Sequence, residues 1–494
     1  MNLTSLFFLL LTLLAALIYH KLPAKWRSSW LLVISAAFIA TWSWQFIIVL
    51  LVFGLINFAF GLRIARSGAK TNRWVLFAIF TNLLILFVFK YNHFYQPALA
   101  RLLETLGMPG ASDGLKILLP VGLSFLVVQV ISYLVDVAGG RLPAECDLIK
   151  FWVYVLYFPK LLSGPVERAR DFLPRLSEPL KFDRALLERS FSLIMVGLFR
   201  KVFIADALFR MIPEKAFITP LDYAGQHLFF WLLGYAFAIF NDFAGYTAIA
   251  RGVSLWFGIE LNLNFNLPYL SHNFTEFWNR WHISLSTWLR DYIFYPLSLK
   301  LTRHFRQPGN LIALAVPPLA TMLVSGLWHG LAWNMLVWGG LHAIYLIGER
   351  VAGLIKHPVP LSKQSLWHKA LGIVITFALV VLAWIPFKMS LPVAKDFLIG
   401  LFKWVLPSRS LILAYLNGTT NVVSWSPLNL PNPLLLLVIA IAIGFDLTLN
   451  QKGSERELRS LRFGWQIVLL VAMLVLITAS LFTDSQAPFV YQGF

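Results

Sequence analysis

Long uncharged apolar runs constrain the fold of this chain more than any other feature. Several of them reach the roughly 20 residues that an α-helix needs to cross about 30 Å of hydrocarbon. One run, residues 307–348, contains no Asp, Glu, Lys or Arg. Only 13% of the 494 residues are charged, against about 25% in soluble proteins. The sequence therefore predicts an all-α polytopic membrane protein and excludes a soluble multidomain one.

The charge balance agrees with a membrane protein. The net charge of +18 would suggest a nucleic-acid partner in a soluble chain. Here the Lys and Arg residues mostly lie between apolar runs, where positive charge marks cytoplasmic loops. We therefore expect a lipid bilayer as the partner and no nucleic acid. The single cysteine, Cys146, excludes an internal disulfide, a Cys-rich zinc site and an iron–sulfur cluster.

The order of runs and charges predicts the topology, with about eleven transmembrane helices. No basic residue precedes the first run, whereas a cleavable signal peptide begins with positive charge, so we expect an uncleaved first span with its N-terminus outside. Nine Lys/Arg against five Asp/Glu over residues 160–201 predict a partly re-entrant cytoplasmic segment at the membrane surface. The expected spans include residues 3–19, a hairpin over 30–62, 75–89, 118–137, 223–250, 371–387, 433–447 and 465–482, with an interfacial piece over 394–406 and a polar stretch over 417–433.

Residues 272–306 are amphipathic rather than membrane-spanning. Steps of three and four residues separate two helical stripes. The aromatic stripe consists of Trp278, Trp281, Leu285, Trp288 and Tyr292. The polar stripe consists of Thr275, Asn279, His282, Ser286 and Arg290. The pattern predicts a helix that places His282 on its polar face, toward a substrate or a water-filled cavity.

The uncharged run over residues 307–348 carries two signals of irregular backbone. Pro317 and Pro318 predict an interruption of the helix, and Gly326 and Gly330 flank His329. Irregular backbone at membrane depth is tolerated where it lines a cavity or is buried in protein. We therefore expect His329 in such a setting.

His282 and His329 are the candidate catalytic residues. The lipid phase penalises ionisable side chains, so a histidine there indicates a function. Acyl transfer to a hydroxyl needs a general base, and neutral imidazole is suitable because its unperturbed pKa is about 6.5. The alternative for each histidine is a hydrogen bond between helices. Zinc normally takes three or four protein ligands, and the nearby carboxylates, Glu276 and Asp291, lie on the wrong stripe to join His282, so we expect no metal.

The residues around the histidines are expected to shape a cavity. Asp242 is a charge inside an apolar run, which costs about 2.5–3.5 kcal/mol on insertion scales. We expect it to be paired, with an arginine of the amphipathic segment as the candidate partner. Arg280 and Arg290 either neutralise a phosphate-bearing acyl donor or contact lipid headgroups. Trp328 is expected to line the cavity, whereas most neighbouring tryptophans pack in the core or anchor the chain at the interface.

An ordered set of motifs extends over most of residues 119–348, with one more near the C-terminus. It consists of residues 119–125 (LPVGLSF), 157–168 (YFPKLLSGPVER), 242–246 (DFAGY), 264–269 (NFNLPY), 276–292, 327–330 (LWHG) and 488–491 (PFVY). By these motifs the sequence resembles the membrane-bound O-acyltransferase (MBOAT) family, in the bacterial branch of alginate O-acetyltransferases. One motif alone is a weak signal, but the ordered set is highly specific.

The resemblance implies the fold, the reaction and the site. His329 matches the most characteristic histidine of the family, and His282 matches its second active-site position. The fold is expected to surround a central funnel or tunnel in a single domain, residues 1–494, with a core over 119–348 and peripheral helices over 1–118 and 349–494. No cofactor is expected to be bound, and acetyl-CoA is the expected donor.

The same resemblance predicts the location and partners of the reaction. In the bacterial inner membrane, the protein would move an acetyl group from the cytoplasmic side for O-acetylation of an extracytoplasmic polysaccharide. A periplasmic SGNH-hydrolase-like protein is the expected partner. In the proposed mechanism His329 takes the proton of the acceptor hydroxyl or of a carrier nucleophile, and His282 orients the donor or stabilises the developing oxyanion.

Two other functions are open at this point. The first is a D-alanyl transferase of teichoic acid, which belongs to the same family and takes its acyl group from a carrier protein. The second is a proton-coupled transporter that uses the histidines as a relay. Transporters commonly have two related halves with broken helices in corresponding positions, whereas here the irregular and ionisable positions concentrate in one central block.

Overall fold

The computed structural model describes most of the chain. The described residues are 3–68, 71–106, 119–120, 122–162, 164–307, 309–355, 364–404, 432–451, 454–455 and 463–481. Two motif positions, Val121 and Ser163, the motif over residues 488–491 and nearly all of the expected polar stretch over 417–433 lie outside them. Apart from a two-residue antiparallel pairing of Asn450–Gln451 with Ser454–Glu455, the regular structure of the described residues is helical.

The described helices fall into two compact units. Unit 1 is Met1–Ile194 with Thr247–Asn262, and unit 2 is Met195–Tyr246 with Leu263–Phe494. In chain order up to residue 198, the helices are α1 Leu6–Lys21, α2 Ala24–Ala40, α3 Trp44–Ala65, α4 Thr71–Lys90, α5 Asn92–Thr105, α6 Leu123–Ala138, α7 Leu148–Leu156, α8 Phe158–Leu161, α9 Ala169–Ser177 and α10 Arg184–Leu198. Those that follow are α11 Asp206–Met211, α12 Gly225–Leu255, α13 Phe274–Arg280, α14 Ile283–Leu289, α15 Tyr295–Phe305, α16 Leu311–His329, α17 Trp333–Ile355, α18 Leu366–Lys388, α19 Leu391–Leu401, α20 Pro433–Leu449 and α21 Phe463–Leu481. The single-domain organisation stays a prediction.

The membrane character is confirmed by length and composition. Among the described helices, α3, α4, α12, α16 and α18 are long and apolar enough to cross a bilayer. Four shorter apolar helices or parts of helices lie at Leu6–Lys21, Leu123–Ala138, Pro433–Leu449 and Gln466–Thr478. Outward-facing apolar side chains such as Ile48, Val52 and Leu55 give α3 a surface suited to lipid. The chain is therefore a multi-pass membrane protein, and the count of eleven spans stays a prediction.

The basic segment over residues 160–201 contains two buried cations, whereas its expected position at the membrane surface stays a prediction. Lys160 is fully buried in unit 1, where its ammonium donates to Gln129 Oε1 and lies 5.0 Å from the centre of the Tyr154 ring. Arg200 is buried in unit 2 and forms an ion pair with Asp446 at 2.8 Å. Burial is possible because each cation has a polar or charged partner in the protein.

The amphipathic segment is not one helix. Helix α13 ends at Arg280, α14 begins at Ile283, and His282 between them has a left-handed φ of 42°. The backbone groups at the break form hydrogen bonds with a preceding extended segment instead of with the helix. Ile283 N donates to Asn264 O at 2.8 Å, and Asn266 N donates to Arg280 O at 2.9 Å. Residues Arg290–Phe294 then form a π-helical turn before α15. The stripe pattern could not predict this break because its cause is 18 residues away in sequence.

Pro317 and Pro318 do not interrupt α16, contrary to expectation. The helix is continuous from Leu311 to His329, with both prolines inside it. A proline cannot donate to the carbonyl four residues earlier, so Pro318 leaves the Leu314 carbonyl without its helical partner. The guanidinium of Arg350 in α17 donates to that carbonyl at 2.9 Å. A neighbouring helix thus supplies the missing hydrogen bond.

Two glycines allow α16 and α17 to approach closely. A Cβ atom on Gly326 would lie 2.3 Å from the Met335 carbonyl oxygen, and one on Gly339 would lie 2.4 Å from the Met322 carbonyl oxygen. Small residues at such positions are typical of helix contacts in membranes. The contact places the C-terminal end of α16, which carries His329, against the first turns of α17.

The close approach predicts the effect of an added methyl group. Gly326→Ala should push α16 away from α17 and destabilise the protein by about 1–3 kcal/mol, the usual cost of overpacking. Thermal unfolding of the purified variants in detergent measures the change. Gly340→Ala is the matched control, because a Cβ there meets nothing within 4 Å. Equal melting temperatures for the two variants would contradict the close approach of α17 to Gly326.

Candidate active site

His282 lies in unit 2, at the break between α13 and α14. Its side chain is buried, with 2% of the residue exposed. The imidazole contacts the ring of Phe243 edge to face, at a centroid distance of 4.8 Å. Its Nδ1 lies 3.1 Å from Asn264 Oδ1. His282 was expected on the polar face of one continuous helix, but it lies at a break between two helices, where the left-handed backbone turns its side chain into the protein.

The surroundings of Asn264 determine which nitrogen of His282 carries the proton. The same Oδ1 atom accepts from the backbone N of Ser284 at 3.3 Å and from its hydroxyl at 2.8 Å. A backbone N–H can only donate, so the atom facing it is the amide oxygen. The Nδ1–H of His282 must then be the donor, which leaves Nε2 with a lone pair in the neutral ring. Burial lowers the pKa of His282 to about 3 and keeps it neutral.

His329 is the last residue of α16 and is also buried, with 6% exposed. Three aromatic rings surround the imidazole. Trp338 and Phe387 meet it edge to face, each at a centroid distance of 5.1 Å, and Trp328 does so at 4.9 Å. The helix ends here because Gly330 adopts an extended conformation while its N–H still bonds to the Gly326 carbonyl.

Trp328 brings the two histidines into one neighbourhood. Its ring centre lies 6.3 Å from that of His282 and 4.9 Å from that of His329. The separation of the two imidazoles cannot exceed the sum of these distances, although 47 positions separate the residues in sequence. The two imidazoles therefore lie in one region of unit 2, and their role in catalysis stays a prediction.

A cavity of about 360 Å³ lies beside this region in unit 2, within the usual range for ligand pockets. Four of the five polar-stripe residues line it, and His282 is the exception. The lining residues are Thr275, Trp278, Asn279, Ser286, Leu289, Arg290, Phe294, Tyr295, Pro318, Thr321, Met322, Leu346 and Arg350. Met322 precedes His329 by two turns of α16, which is about 10 Å along the helix.

Three of the six predicted cavity residues line this cavity. Asn279, Ser286 and Arg290 line the cavity, whereas Asp242, Arg280 and Trp328 do not. The guanidinium of Arg280 is held by Glu276 at 2.5 Å, one turn earlier in α13. Arg290 remains directed to the cavity wall, where its Nη1 donates to Asn279 Oδ1 at 3.2 Å.

Asp242 is paired as expected, but with a different residue. Lys201 Nζ lies 2.8 Å from Asp242 Oδ1 and 2.7 Å from Asp206 Oδ1. All three side chains are buried in unit 2. The predicted arginine of the amphipathic segment is therefore the wrong partner. Lys201 belongs to a π-helical turn, Phe199–Ala205, and no sequence pattern connects it to Asp242.

Sequence reasoning gave no role to a third buried histidine. His342 in α17 lies between Trp278 and Trp338, with centroid distances of 5.0 Å to each ring. Trp278 lines the cavity and Trp338 contacts His329, so His342 belongs to the aromatic wall between them. Its presence in the same uncharged run as His329 was the available signal. Within the described residues, no group of three or more His, Cys, Asp or Glu side chains could hold a metal ion.

Comparison with known proteins identifies the class. The model of the membrane-bound O-acyltransferase family matches residues 140–364. The chain is 35% identical to a probable alginate O-acetylase of Pseudomonas aeruginosa, over 75% of this chain and 68% of that protein. The chain therefore belongs to the membrane-bound O-acyltransferase family, and it is an O-acyltransferase.

Two further relatives differ in the names of their substrates. A peptidoglycan O-acetyltransferase of Helicobacter pylori is 27% identical over 94% of this chain and 91% of its own length. A teichoic acid D-alanyltransferase of Streptococcus thermophilus is 33% identical, but over only 54% of this chain and 68% of its own. The predicted family is confirmed, and the similarity to the acetyl-transferring relatives extends over more of the chain.

The contact between Asn264 and His282 predicts a change in pH dependence. Asn264→Asp places a carboxylate beside Nδ1, which favours the charged imidazolium and should raise the pKa of His282 by about 1–3 units. Protonation removes the lone pair of Nε2, so the acidic limb of kcat/KM for acyl transfer should move to higher pH. Ser284→Ala, which adds no charge, serves as the control for the shape of the profile. A profile of Asn264→Asp that coincides with that of the wild type would contradict this role.

Proposed function

We propose that the protein transfers an acetyl group from cytoplasmic acetyl-CoA to a hydroxyl of an extracytoplasmic polysaccharide, in the bacterial inner membrane. The names of the relatives support this substrate class, because alginate and peptidoglycan are both polysaccharides that carry O-acetyl groups. The observation that carries the proposal is the meeting of two buried imidazoles at the ring of Trp328, beside a cavity of ligand size.

His329 is proposed as the general base. It accepts the proton of the acceptor hydroxyl, or of a carrier nucleophile, as the oxygen attacks the acetyl carbonyl. The carbon–oxygen bond forms, the carbon–sulfur bond of acetyl-CoA breaks, and the proton passes to the coenzyme A thiolate. The buried position of His329 at the end of α16, beside Trp328, supports this role.

His282 is proposed to orient the donor, by accepting a hydrogen bond at Nε2. The sequence left open a second role, the stabilisation of an oxyanion. That role needs an N–H directed at the oxygen, and the hydrogen bond from Nδ1–H to Asn264 leaves Nε2 without a proton in the neutral ring. The acceptor role is therefore the one compatible with the tautomer.

The cavity is proposed to hold part of the donor. Arg290 gives it positive charge, and Asn279 and Ser286 give it hydrogen-bonding groups. Arg280, the other candidate for a phosphate contact, already neutralises Glu276. Arg290 forms a longer ion pair of 3.5 Å with Asp291, and its side chain is 41% exposed, so it is the better candidate of the two. An arginine in this position suits bidentate recognition of phosphate.

A periplasmic SGNH-hydrolase-like protein is proposed as the partner that completes transfer to the glycan. Membranes containing this chain, with and without that partner, would be incubated with labelled acetyl-CoA. We expect label on the protein, on a carrier or on a lipid intermediate without the partner, and on polysaccharide with it. Membranes that lack this chain are the control. Absence of chain-dependent labelling in both arms would overturn the proposal.

The alternative donor is a D-alanyl carrier protein, which the resemblance to a teichoic acid D-alanyltransferase favours. The two donors predict different genes beside the gene of this chain. A carrier protein and an adenylating enzyme would support D-alanylation, and an esterase-like periplasmic protein would support acetylation.

The proposed base predicts a large loss of rate. His329→Ala should reduce acetyl transfer by about 10²–10⁴-fold, the usual contribution of general-base catalysis. His304→Ala is the matched control, because that histidine is exposed at the end of α15. Transfer of labelled acetyl groups by purified protein in proteoliposomes measures both. A His329→Ala protein that transfers at the wild-type rate would refute the assignment.

A further inference from the structure

Two adjacent charges in α17, Glu349 and Arg350, contact both of the elements that lead to the histidines. They are the first charged residues after the uncharged run over 307–348. Both side chains are partly buried. Glu349 contacts the start of α13, whose end leads to His282, and Arg350 contacts α16, which ends at His329.

Glu349 caps a helix that is distant in sequence. Its Oε2 accepts from the backbone N of Phe274 at 2.9 Å and of Thr275 at 3.1 Å. These are the first two residues of α13, whose N–H groups have no acceptor within the helix. The third such group, Glu276 N, donates to the side chain of Asn273 at 2.8 Å. A carboxylate at this end of a helix also interacts favourably with the helix dipole.

The cap is important because α13 is short. It has only seven residues, Phe274–Arg280, and isolated helices of that length are not stable in water. The ring of Phe274 also stacks on Tyr345 of α17, at a centroid distance of 4.8 Å. Helix α17 therefore holds α13 by a stacked ring and a two-donor cap, and the end of α13 is two residues from His282.

Arg350 stabilises a helix that two prolines would otherwise weaken. Its Nη1 donates to the Leu314 carbonyl, the acceptor that Pro318 cannot serve. Its guanidinium also lies 5.1 Å from the centre of the Phe294 ring, in the π-helical turn that follows α14. Arg350 thus connects α16 with the segment beyond His282.

We propose that Glu349 and Arg350 are positioning residues, which hold the His282 and His329 elements in register from one turn of α17. This inference rests on the proposed function of the two histidines. It differs from a donor-binding role for Arg350, although the residue also lines the cavity. A positioning role requires the hydrogen bond to Leu314, whereas a donor-binding role requires only the positive charge.

Restoring the missing backbone donor separates these roles. Arg350→Met keeps an unbranched side chain but removes the donor and the charge, and we expect kcat for acetyl transfer to fall at least about tenfold, since small displacements of reacting groups are costly. Adding Pro318→Ala supplies a backbone N–H to Leu314, so the double variant should recover most of the lost kcat. Pro317→Ala in the Arg350→Met background is the matched control. Its new N–H faces the Ala313 carbonyl and should give no recovery.

The outcomes of this comparison distinguish a positioning role of Arg350 from a donor-binding role. Recovery with Pro318→Ala and not with Pro317→Ala supports the positioning role, and the same pattern in the yield of folded protein counts equally if Arg350→Met folds poorly. A failure of Pro318→Ala to restore either property, together with a raised KM for acetyl-CoA, would overturn it in favour of charge recognition. Equal recovery with both alanines would also overturn it.

Glu349 can be tested without any measurement of activity. In Glu349→Ala, backbone amide hydrogen exchange should become faster in a peptide that covers α13, while a peptide from α15 exchanges at the wild-type rate. Glu349→Gln keeps one acceptor oxygen and should restore part of the protection. Unchanged exchange in α13 would overturn the role of Glu349. Absence of acetyl transfer by wild-type protein would refute the proposed function but would leave this exchange result valid.

Discussion

The hydrogen bonds between Asn264 and residues 282–284 are the interaction on which the site depends. The backbone of Asn264 accepts from Ile283, and its side chain accepts from His282 and Ser284. These bonds satisfy polar groups at the break between α13 and α14. Backbone groups left without hydrogen bonds would be costly in this apolar surrounding. The bonds to Asn264 also set the left-handed turn at His282 and the tautomer of its ring. One asparagine therefore connects the backbone geometry of the break to the chemistry that His282 can perform.

Two buried charged side chains of unit 2 are likewise paired with partners inside the protein. Arg200 and Lys201 are adjacent in the π-helical turn Phe199–Ala205, yet they contact different carboxylates. Arg200 reaches Asp446 and also donates to Asn241, whereas Lys201 reaches Asp206 and Asp242. Removing one member of such a pair leaves an uncompensated buried charge, at a cost of about 3–5 kcal/mol. The pairs therefore restrict how the helices that carry them can be arranged.

The sequence predicted the features that depend on composition and short-range periodicity. The lengths of the apolar runs predicted where several of the long apolar helices lie. The polar stripe identified Thr275, Asn279, Ser286 and Arg290 as residues that line one cavity. His282 was placed on the wrong face because its conformation is set by Asn264, outside the periodic segment. The prolines of α16 were misjudged for a similar reason, since Arg350 supplies the missing donor from another helix. Periodicity describes one element at a time, and these features arise between elements.

The most direct test of the account is the structure of the protein with a non-hydrolysable thioether analogue of acetyl-CoA, determined by electron cryomicroscopy. Two buried imidazoles at one indole should act on a single reacting carbonyl. We predict that the analogue carbonyl lies beside Trp328, with at least one of the two imidazoles within about 2.6–3.2 Å or one bridging water. An analogue bound with its carbonyl away from both imidazoles would contradict the account.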